Sequence, residues 1–278
     1  LRKRGALSLF EAVVLGAVQG ITEFLPISSS GHLVLAEYLL KVRFDDISFE
    51  VFVHLGTFFS VVLVFRHTIV SILRALRLQI ISIIGGGAKH QTVQPEDARL
   101  FWLILAGSVP AGVAGLLLKT QIEKAFASAT LVAVMLLVTG VILLLTTFFK
   151  APRKRMNLPD ALAVGVAQAL AILPGISRSG TTISAGIFRG VERSKAAEYS
   201  FLLSLPAILG ASLIELKEML GNPGLQGSLW VYLAGALTAF GVGYVAIRFL
   251  LSIIRKGKFQ YFGCYCLALG TFFLIFLK

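Results

Sequence analysis

The sequence predicts an all-α polytopic membrane protein: six transmembrane helices plus two re-entrant helix–loop–helix hairpins, arranged as an inverted-topology repeat. Three observations predict it. The 278 residues are 56% AVILMFWYC and only 14% charged, with a mean hydropathy of +0.86, whereas a soluble domain carries roughly 25% charged residues to cover its surface. The apolar runs are continuous rather than alternating, which suits helices and not a barrel. Finally, two of the runs are broken in matching ways by Pro, Ser and Gly.

Taken in chain order, Leu1-Arg2-Lys3-Arg4 before an apolar run mimics a signal peptide. Glu11 inside the run and the lack of a small-x-small cleavage site argue against one. The missing initiator Met predicts that a few residues precede Leu1. Six stretches are long and apolar enough to cross a bilayer of roughly 30 Å, which takes about 20 residues: 47–65, 99–118, 129–149, 196–216, 228–250 and 260–277. Two more, 8–40 and 158–190, are interrupted by Pro26-Ile27-Ser28-Ser29-Ser30-Gly31 and Pro174-Gly175-Ile176-Ser177-Arg178-Ser179-Gly180. Broken backbone survives at membrane depth only where protein or a wet cavity encloses it, so both read as re-entrant hairpins. The chain is one membrane domain over 1–278, with a first repeat at 7–149 and a second at 157–277.

The 26 Lys and Arg exceed the 14 Asp and Glu, giving a net charge of +12. Nucleic acid is excluded as a partner, because no basic face with interleaved aromatics remains once the spans are removed. The excess reads instead as basic cytoplasmic loops and headgroup contact. Arg66, Arg74, Arg77, Lys89 and Arg99 fill the segment 66–99. Lys150, Arg153, Lys154 and Arg155 fill the next loop on that side, and Arg248, Arg255, Lys256 and Lys258 a third. The opposite loops, 119–128 and 217–227, are nearly charge-balanced. The positive-inside rule puts the basic set in the cytoplasm and both termini outside, which leaves Arg2, Lys3 and Arg4 against the rule.

The broken segments are copies. A shift of 149 aligns Gly16 with Gly165, Gln19 with Gln168, Ile27 with Ile176, Ser28 with Ser177, Ser30 with Ser179 and Gly31 with Gly180. Three spans separate the copies, and an odd number turns the second over, so the hairpins enter from opposite sides and their tips meet near mid-membrane.

The first tip supplies Gln19 and Glu23, four apart on one helix face, with Ser28, Ser29, Ser30 and His32. An acid at depth is a functional candidate, its alternative being a helix end in water or headgroups. The second tip supplies Ser177, Arg178, Ser179, Thr181 and Thr182. The planar fork of Arg178 matches a phosphate or carboxylate; the alternative is an ion pair with Glu23, and both hold if substrate phosphate intervenes. Each Ser/Gly cluster also opens a helix, whose free N–H groups favour anions. Together the tips form a phosphate cradle, for an anionic lipid group or a transported anion. His32 permits nucleophilic or acid–base chemistry, or is structural. His54 reads as packing, His67 and His90 as solvated. Gly85-Gly86-Gly87 lacks phosphate-loop spacing and reads as a flexible connection. Cys264 and Cys266 read as small core residues without redox or metal roles.

Gln19-Gly20-Ile21-Thr22-Glu23-Phe24-Leu25-Pro26 with Ile27-Ser28-Ser29-Ser30-Gly31-His32 closely resembles the first signature of bacterial undecaprenyl pyrophosphate phosphatases of the bacitracin-resistance type. Pro174-Gly175-Ile176-Ser177-Arg178-Ser179-Gly180-Thr181-Thr182 resembles the second. The resemblance covers nearly the whole chain. It implies hydrolysis of the lipid carrier's pyrophosphate to the monophosphate in the bacterial plasma membrane, recycling the carrier for peptidoglycan synthesis. It also implies six spans with two re-entrant hairpins, and a site on the extracytoplasmic side. The family's (E/Q)xxxE motif maps onto Gln19 and Glu23, with Gln excluding a carboxylate role at the first position. The catalytic set maps onto Glu23, Ser29, His32 and Arg178. Phosphate contacts map onto Ser28, Ser30, Ser177 and Thr182; Gln19, Gly31, Ser179, Gly180 and Thr181 at the two tips complete the expected substrate-binding set. A divalent cation, Mg²⁺ or Ca²⁺, is implied as cofactor, bound mostly through the pyrophosphate because no dedicated oxygen cage is visible.

Three routes stay open. Ser29 attacks, activated by His32 or Glu23; His32 itself attacks; or Glu23 activates water. The strongest rival is a lipid or anion transporter, since inverted repeats with broken helices also build alternating-access proteins. Ser30-Gly31-His32 superficially resembles the phosphatidic-acid phosphatase superfamily, but Ser177-Arg178 lacks a His at the required distance, which rejects that family.

Overall fold

The computed structural model describes residues 7–33, 47–84, 95–126, 128–149, 155–221 and 228–276. The N-terminal Arg2-Lys3-Arg4, the end of the first broken segment, the Gly85-Gly86-Gly87 run with Lys89 and His90, and Lys150, Arg153 and Lys154 lie outside them. Among the described residues all regular structure is helical: α1 Leu9–Thr22, α2 Ile47–Val64, α3 Arg66–Ile84, α4 Pro95–Leu117, α5 Lys119–Phe126, α6 Ala129–Leu145, α7 Leu158–Leu170, α8 Arg178–Phe188, α9 Arg193–Gly221, α10 Leu229–Arg255 and α11 Tyr261–Phe276. Residues 29–33 are helical as well.

Among the described residues four helices are long and apolar enough to cross a membrane: Glu96–Leu117, Ala129–Phe148, Arg193–Ile214 and Leu229–Arg255. A fifth arises if α2 and α3 count as one span, though the two are bent by 77°. Large apolar side chains such as Leu116, Leu117, Phe148 and Trp230 stand exposed, the reverse of a soluble surface and the mark of a multi-pass membrane protein. Helix α3 corrects the reading of 66–99 as a loop. Ile72 and Ala75 share one buried face while Arg66, Arg74 and Arg77 stay exposed, so the segment is amphipathic and folds against α4. Likewise 119–126, expected as loop, is helical.

Corresponding devices start the two hairpins. Before α1, the Ser8 hydroxyl accepts from the Glu11 amide at 3.2 Å and the Glu11 carboxylate accepts from the Ser8 amide at 2.9 Å. Before α7, Asn157 and Asp160 do the same at 3.0 and 3.1 Å. These capping boxes satisfy orphan helix N–H groups, and they explain why an acid at position 11 begins an otherwise apolar run. Asp160 is fully buried and also pairs with Arg189 at 3.0 Å, tying the start of α7 to the end of α8.

Packing follows the same pattern. A Cβ added at Gly16 of α1 would overlap the Gly235 carbonyl of α10, and one at Gly165 of α7 would overlap the Gly107 carbonyl of α4. Backbones this close exclude any side chain, as at small-residue helix crossings in membranes. Gly16→Val and Gly165→Val are therefore expected to destabilise the protein by about 1–3 kcal/mol or more through overpacking. Gly112→Val, where an added Cβ meets nothing within 4 Å, is expected to be silent. Thermal unfolding in detergent checks this, and equal midpoints for all three would contradict the packing. The largest buried apolar cluster joins Phe24 and Ile27, Ile183 and Ile187 of α8, Phe201 and Leu202 of α9, and Ile247 and Leu250 of α10. It draws residues from both hairpins.

Candidate active site

Each hairpin breaks where its sequence lacks helix-compatible residues. Helix α1 ends at Thr22, and Pro26 offers no amide to continue it. The chain then turns through Ser28, whose φ of 69° is left-handed and rare for a residue with a side chain. A new helix starts at Ser29, with the Ser28 hydroxyl accepting from the Gly31 amide at 3.5 Å. In the second hairpin Gly175 takes φ 91°, where an added Cβ would also overlap the Val132 carbonyl of α6. Ser177 caps α8, accepting from the Gly180 amide at 3.1 Å. Its own amide donates to Thr139 Oγ1 at 3.0 Å, and Thr139 donates to the Gly175 carbonyl at 3.2 Å, so α6 clamps the turn.

The tips meet. The Gly175 amide donates to Ser30 Oγ at 3.3 Å, and Ser179 Oγ donates to the Leu25 carbonyl at 3.1 Å. Arg178 Nη2 forms an ion pair with Glu23 Oε1. Glu23 Oε2 accepts from Gln19 Nε2 at 3.1 Å and from Ser29 Oγ at 2.9 Å. The carboxylate is thus held by three donors from both hairpins while its side chain is only 9% exposed, and that of Arg178 15%. Such a buried pair persists because its lone pairs are satisfied; removing one partner leaves an uncompensated charge.

The rest of the expected set divides. Ser28 and Ser30 share a hydrogen bond at 3.2 Å, as do Ser177 and Ser179 at 3.3 Å. Gly31 lies against Val132 and Leu136 of α6. Thr182, expected as a phosphate contact, directs its hydroxyl to the Arg178 carbonyl at 2.7 Å and to Ser200 at 2.5 Å inside the fold. His32 makes no hydrogen bond to Ser29 or Glu23 among the described residues. Its Nδ1 meets the Ser28 carbonyl at 2.8 Å and its Nε2 the Tyr265 hydroxyl of α11 at 2.7 Å. Among the described residues, several buried polar atoms have no hydrogen-bond partner: Arg178 Nη1, Gln19 Oε1 and Thr181 Oγ1, together with Ser184 Oγ and both amide atoms of Gln168. Buried polar groups are almost always bonded, so these atoms are candidates to meet a polar ligand or water.

Sequence reasoning missed Tyr265, Thr139 and Gln168. Gln168 was visible as the repeat mate of Gln19, but it has Ile172 where Gln19 has Glu23, and so no partner one turn on. Thr139 and Tyr265 are polar groups within apolar runs, and nothing in the sequence says which face they take. His54, read as packing, bonds the Glu50 carbonyl at 2.8 Å and lies within electrostatic reach of Glu23. Of the two cysteines expected in the core, Cys264 is exposed, because a face alternates within two residues of a helix. Cys266 is buried and its thiol donates to the Pro26 carbonyl at 3.4 Å.

Among the described residues no group of three or more His, Cys, Asp or Glu side chains is placed to hold a metal ion. The tips instead offer one carboxylate, Glu23, amid hydroxyls. This hard-oxygen set fits Mg²⁺ or Ca²⁺ only where a ligand's own oxygens complete the shell.

Residues 12–272 match the family described as bacitracin resistance protein BacA. The chain is 44% identical over 275 residues to an undecaprenyl-diphosphatase of Desulforapulum autotrophicum, covering 97% of this chain and 98% of that one. It is 41% identical over 273 residues to one of Halothermothrix orenii, at 97% and 98% coverage. To one of Methanosphaera stadtmanae it is 39% identical over 274 residues, again at 97% and 98%.

Proposed function

Because the chain belongs to the BacA family of bacitracin resistance proteins and is an undecaprenyl-diphosphatase, a membrane hydrolase conferring bacitracin resistance, we propose that the two facing tips are where it cleaves the phosphoanhydride of undecaprenyl pyrophosphate. The observation that carries this is the Glu23–Arg178 pair joining the tips, with Arg178 Nη1 buried and without a partner. A guanidinium with a free donor beside the N-terminus of α8 is suited to the terminal phosphate.

In this reading the pyrophosphate takes Arg178 Nη1 and the hydroxyls of Ser30, Ser177 and Ser179. As Arg178 turns to the substrate, Glu23 is left with Gln19 and Ser29 as donors and becomes the better proton acceptor. Ser29 Oγ then attacks the terminal phosphorus and gives its proton to Glu23. The bond to the bridging oxygen breaks, and undecaprenyl monophosphate leaves. Water next attacks the phosphoserine, freeing inorganic phosphate and restoring Ser29. The 2.9 Å Ser29–Glu23 bond supports this order over His32 as the base. Glu23, together with the substrate's own phosphate oxygens, would hold a divalent cation, which would supply charge neutralisation. Ser29→Ala is expected to lower kcat by about 10²–10⁴-fold, with no phosphoenzyme trapped on rapid acid quench. A parent-like rate in Ser29→Ala would leave water or His32 as the nucleophile.

The finer topology we propose is six spans, α2, α4, α6 with the 3₁₀ turn Thr146–Phe148 that follows it, α9, α10 and α11, with re-entrant hairpins opening the repeats 7–149 and 157–277. The matched capping boxes and the matched Gly16–Gly235 and Gly165–Gly107 contacts support it. The enzyme is proposed to sit in the plasma membrane, which in Gram-negative cells is the inner membrane, with the site open to the extracytoplasmic side. There it recycles the carrier for cell-wall synthesis, an orientation supported by the one-sided basic segments. Phosphate release by detergent-purified protein from a long-chain polyprenyl pyrophosphate, with and without a chelator, tests the reading. Release that survives both Glu23→Ala and Arg178→Ala would end it.

A further inference from the structure

We propose that Tyr265 is a positioning residue for the reaction: with the Ser28 carbonyl it holds His32 in a single tautomer and commits Nε2 to the α11 side of the tip. The proposal rests on the reading of the two tips as the catalytic centre. It follows from the chemistry of the two ring nitrogens. The Ser28 carbonyl, 2.8 Å from Nδ1, can only accept, so Nδ1 carries the proton. In the neutral ring Nε2 keeps the lone pair, and the Tyr265 hydroxyl 2.7 Å away donates to it. The rings also stack, with centroids 5.7 Å apart and 11° between their planes, so the imidazole is fixed in angle as well as in protonation.

Both anchors are themselves held. The Ser28 carbonyl is aimed by the left-handed turn at φ 69°. Tyr265 sits on α11, whose Gly263 packs on the Gly140 backbone of α6 and whose Cys266 thiol donates to the Pro26 carbonyl. The C-terminal helix is thereby fastened to the first tip one residue away from Tyr265. Ser29 meanwhile bonds Glu23 at 2.9 Å and not His32. His32 therefore leaves the Ser29 proton to Glu23 and, with Nε2 kept unprotonated by the Tyr265 hydroxyl, takes the proton of the water that attacks the phosphoserine, while Glu23 returns its proton to Ser29. A purely packing role for Tyr265 would need its ring and not its hydroxyl, and this separates the two explanations.

The test uses the full chain in detergent, hydrolysing a long-chain polyprenyl pyrophosphate. Tyr265→Phe keeps the ring and is expected to lower kcat by about tenfold, the scale of one hydrogen bond, with KM unchanged. In ¹⁵N-histidine spectra the His32 Nε2 resonance should move toward that of an unbonded imidazole nitrogen while Nδ1 stays protonated. In a His32→Ala background Tyr265→Phe should have no further effect, since the two act as a unit. A parental kcat with an unmoved His32 spectrum overturns the proposal, as do effects of the two changes that simply multiply. Full turnover in His32→Ala, Glu23→Ala and Arg178→Ala alike would instead overturn the reading of the tips on which it stands.

Discussion

Arg178→Ala is expected to lower kcat/KM for phosphate release by about 10³-fold or more, the scale on which an arginine stabilises a transferring phosphoryl group. Arg178 is the residue that reaches across from the second tip, pairing through Nη2 with Glu23 while Nη1 lies buried without a partner. A planar fork can pass from the carboxylate to two phosphate oxygens in one fixed geometry, whereas an ammonium is a point charge on a flexible four-carbon stem. Arg178→Lys is therefore expected to recover little of the loss. The measurement is steady-state phosphate release over a range of substrate concentrations. A rate within tenfold of the parent for Arg178→Ala would remove this residue from the site.

Glu23→Gln is expected to cost about 10²–10⁴ in kcat, since it removes the proton acceptor for Ser29 while keeping the shape of the side chain. It also leaves Arg178 charged and unpaired in a site 15% exposed. Breaking one partner of a buried pair destabilises by about 3–5 kcal/mol, and removing both is often neutral. The double variant Glu23→Gln with Arg178→Gln is thus expected to regain thermal stability over either single change, yet to stay inactive. Recovery of stability without activity separates the structural role of the pair from its chemical one. Recovery of both would show that the pair only fastens the tips together.

The two hairpins carry different chemistry on one frame. Under the 149-residue shift Ser28 meets Ser177 and both cap helices, while Ser29 meets Arg178 and His32 meets Thr181. The first copy therefore holds the carboxylate, the Ser29 hydroxyl and the imidazole, and the second holds the guanidinium. Repeat-mates at Gly16 and Gly165, and the two capping boxes, serve the frame in the same way in each copy. The groups proposed to react lie where the copies diverge, and the serines proposed to hold phosphate lie where they agree.

Membrane residence, helical class, the two breaks and the residues at them were legible in the chain itself. Each rests on composition or on local rules: continuous apolar runs, proline's missing amide, serine's capping geometry and the four-residue spacing of Gln19 and Glu23. Helix α3 was not legible as structure, because its arginines signal a loop and only its packed stripe of Ile72 and Ala75 reveals a helix. Which groups pair across the tips was decided by the tertiary structure alone. The sequence offered Arg178 a phosphate or a carboxylate and Ser29 either of two bases. The fold gave Arg178 and Ser29 the same partner, Glu23, and turned His32 to Tyr265, 233 residues away along the chain. Local rules fix the direction of a side chain relative to its own helix, whereas its partner depends on how distant helices cross, and that is set by backbone contacts such as those at Gly16 and Gly165.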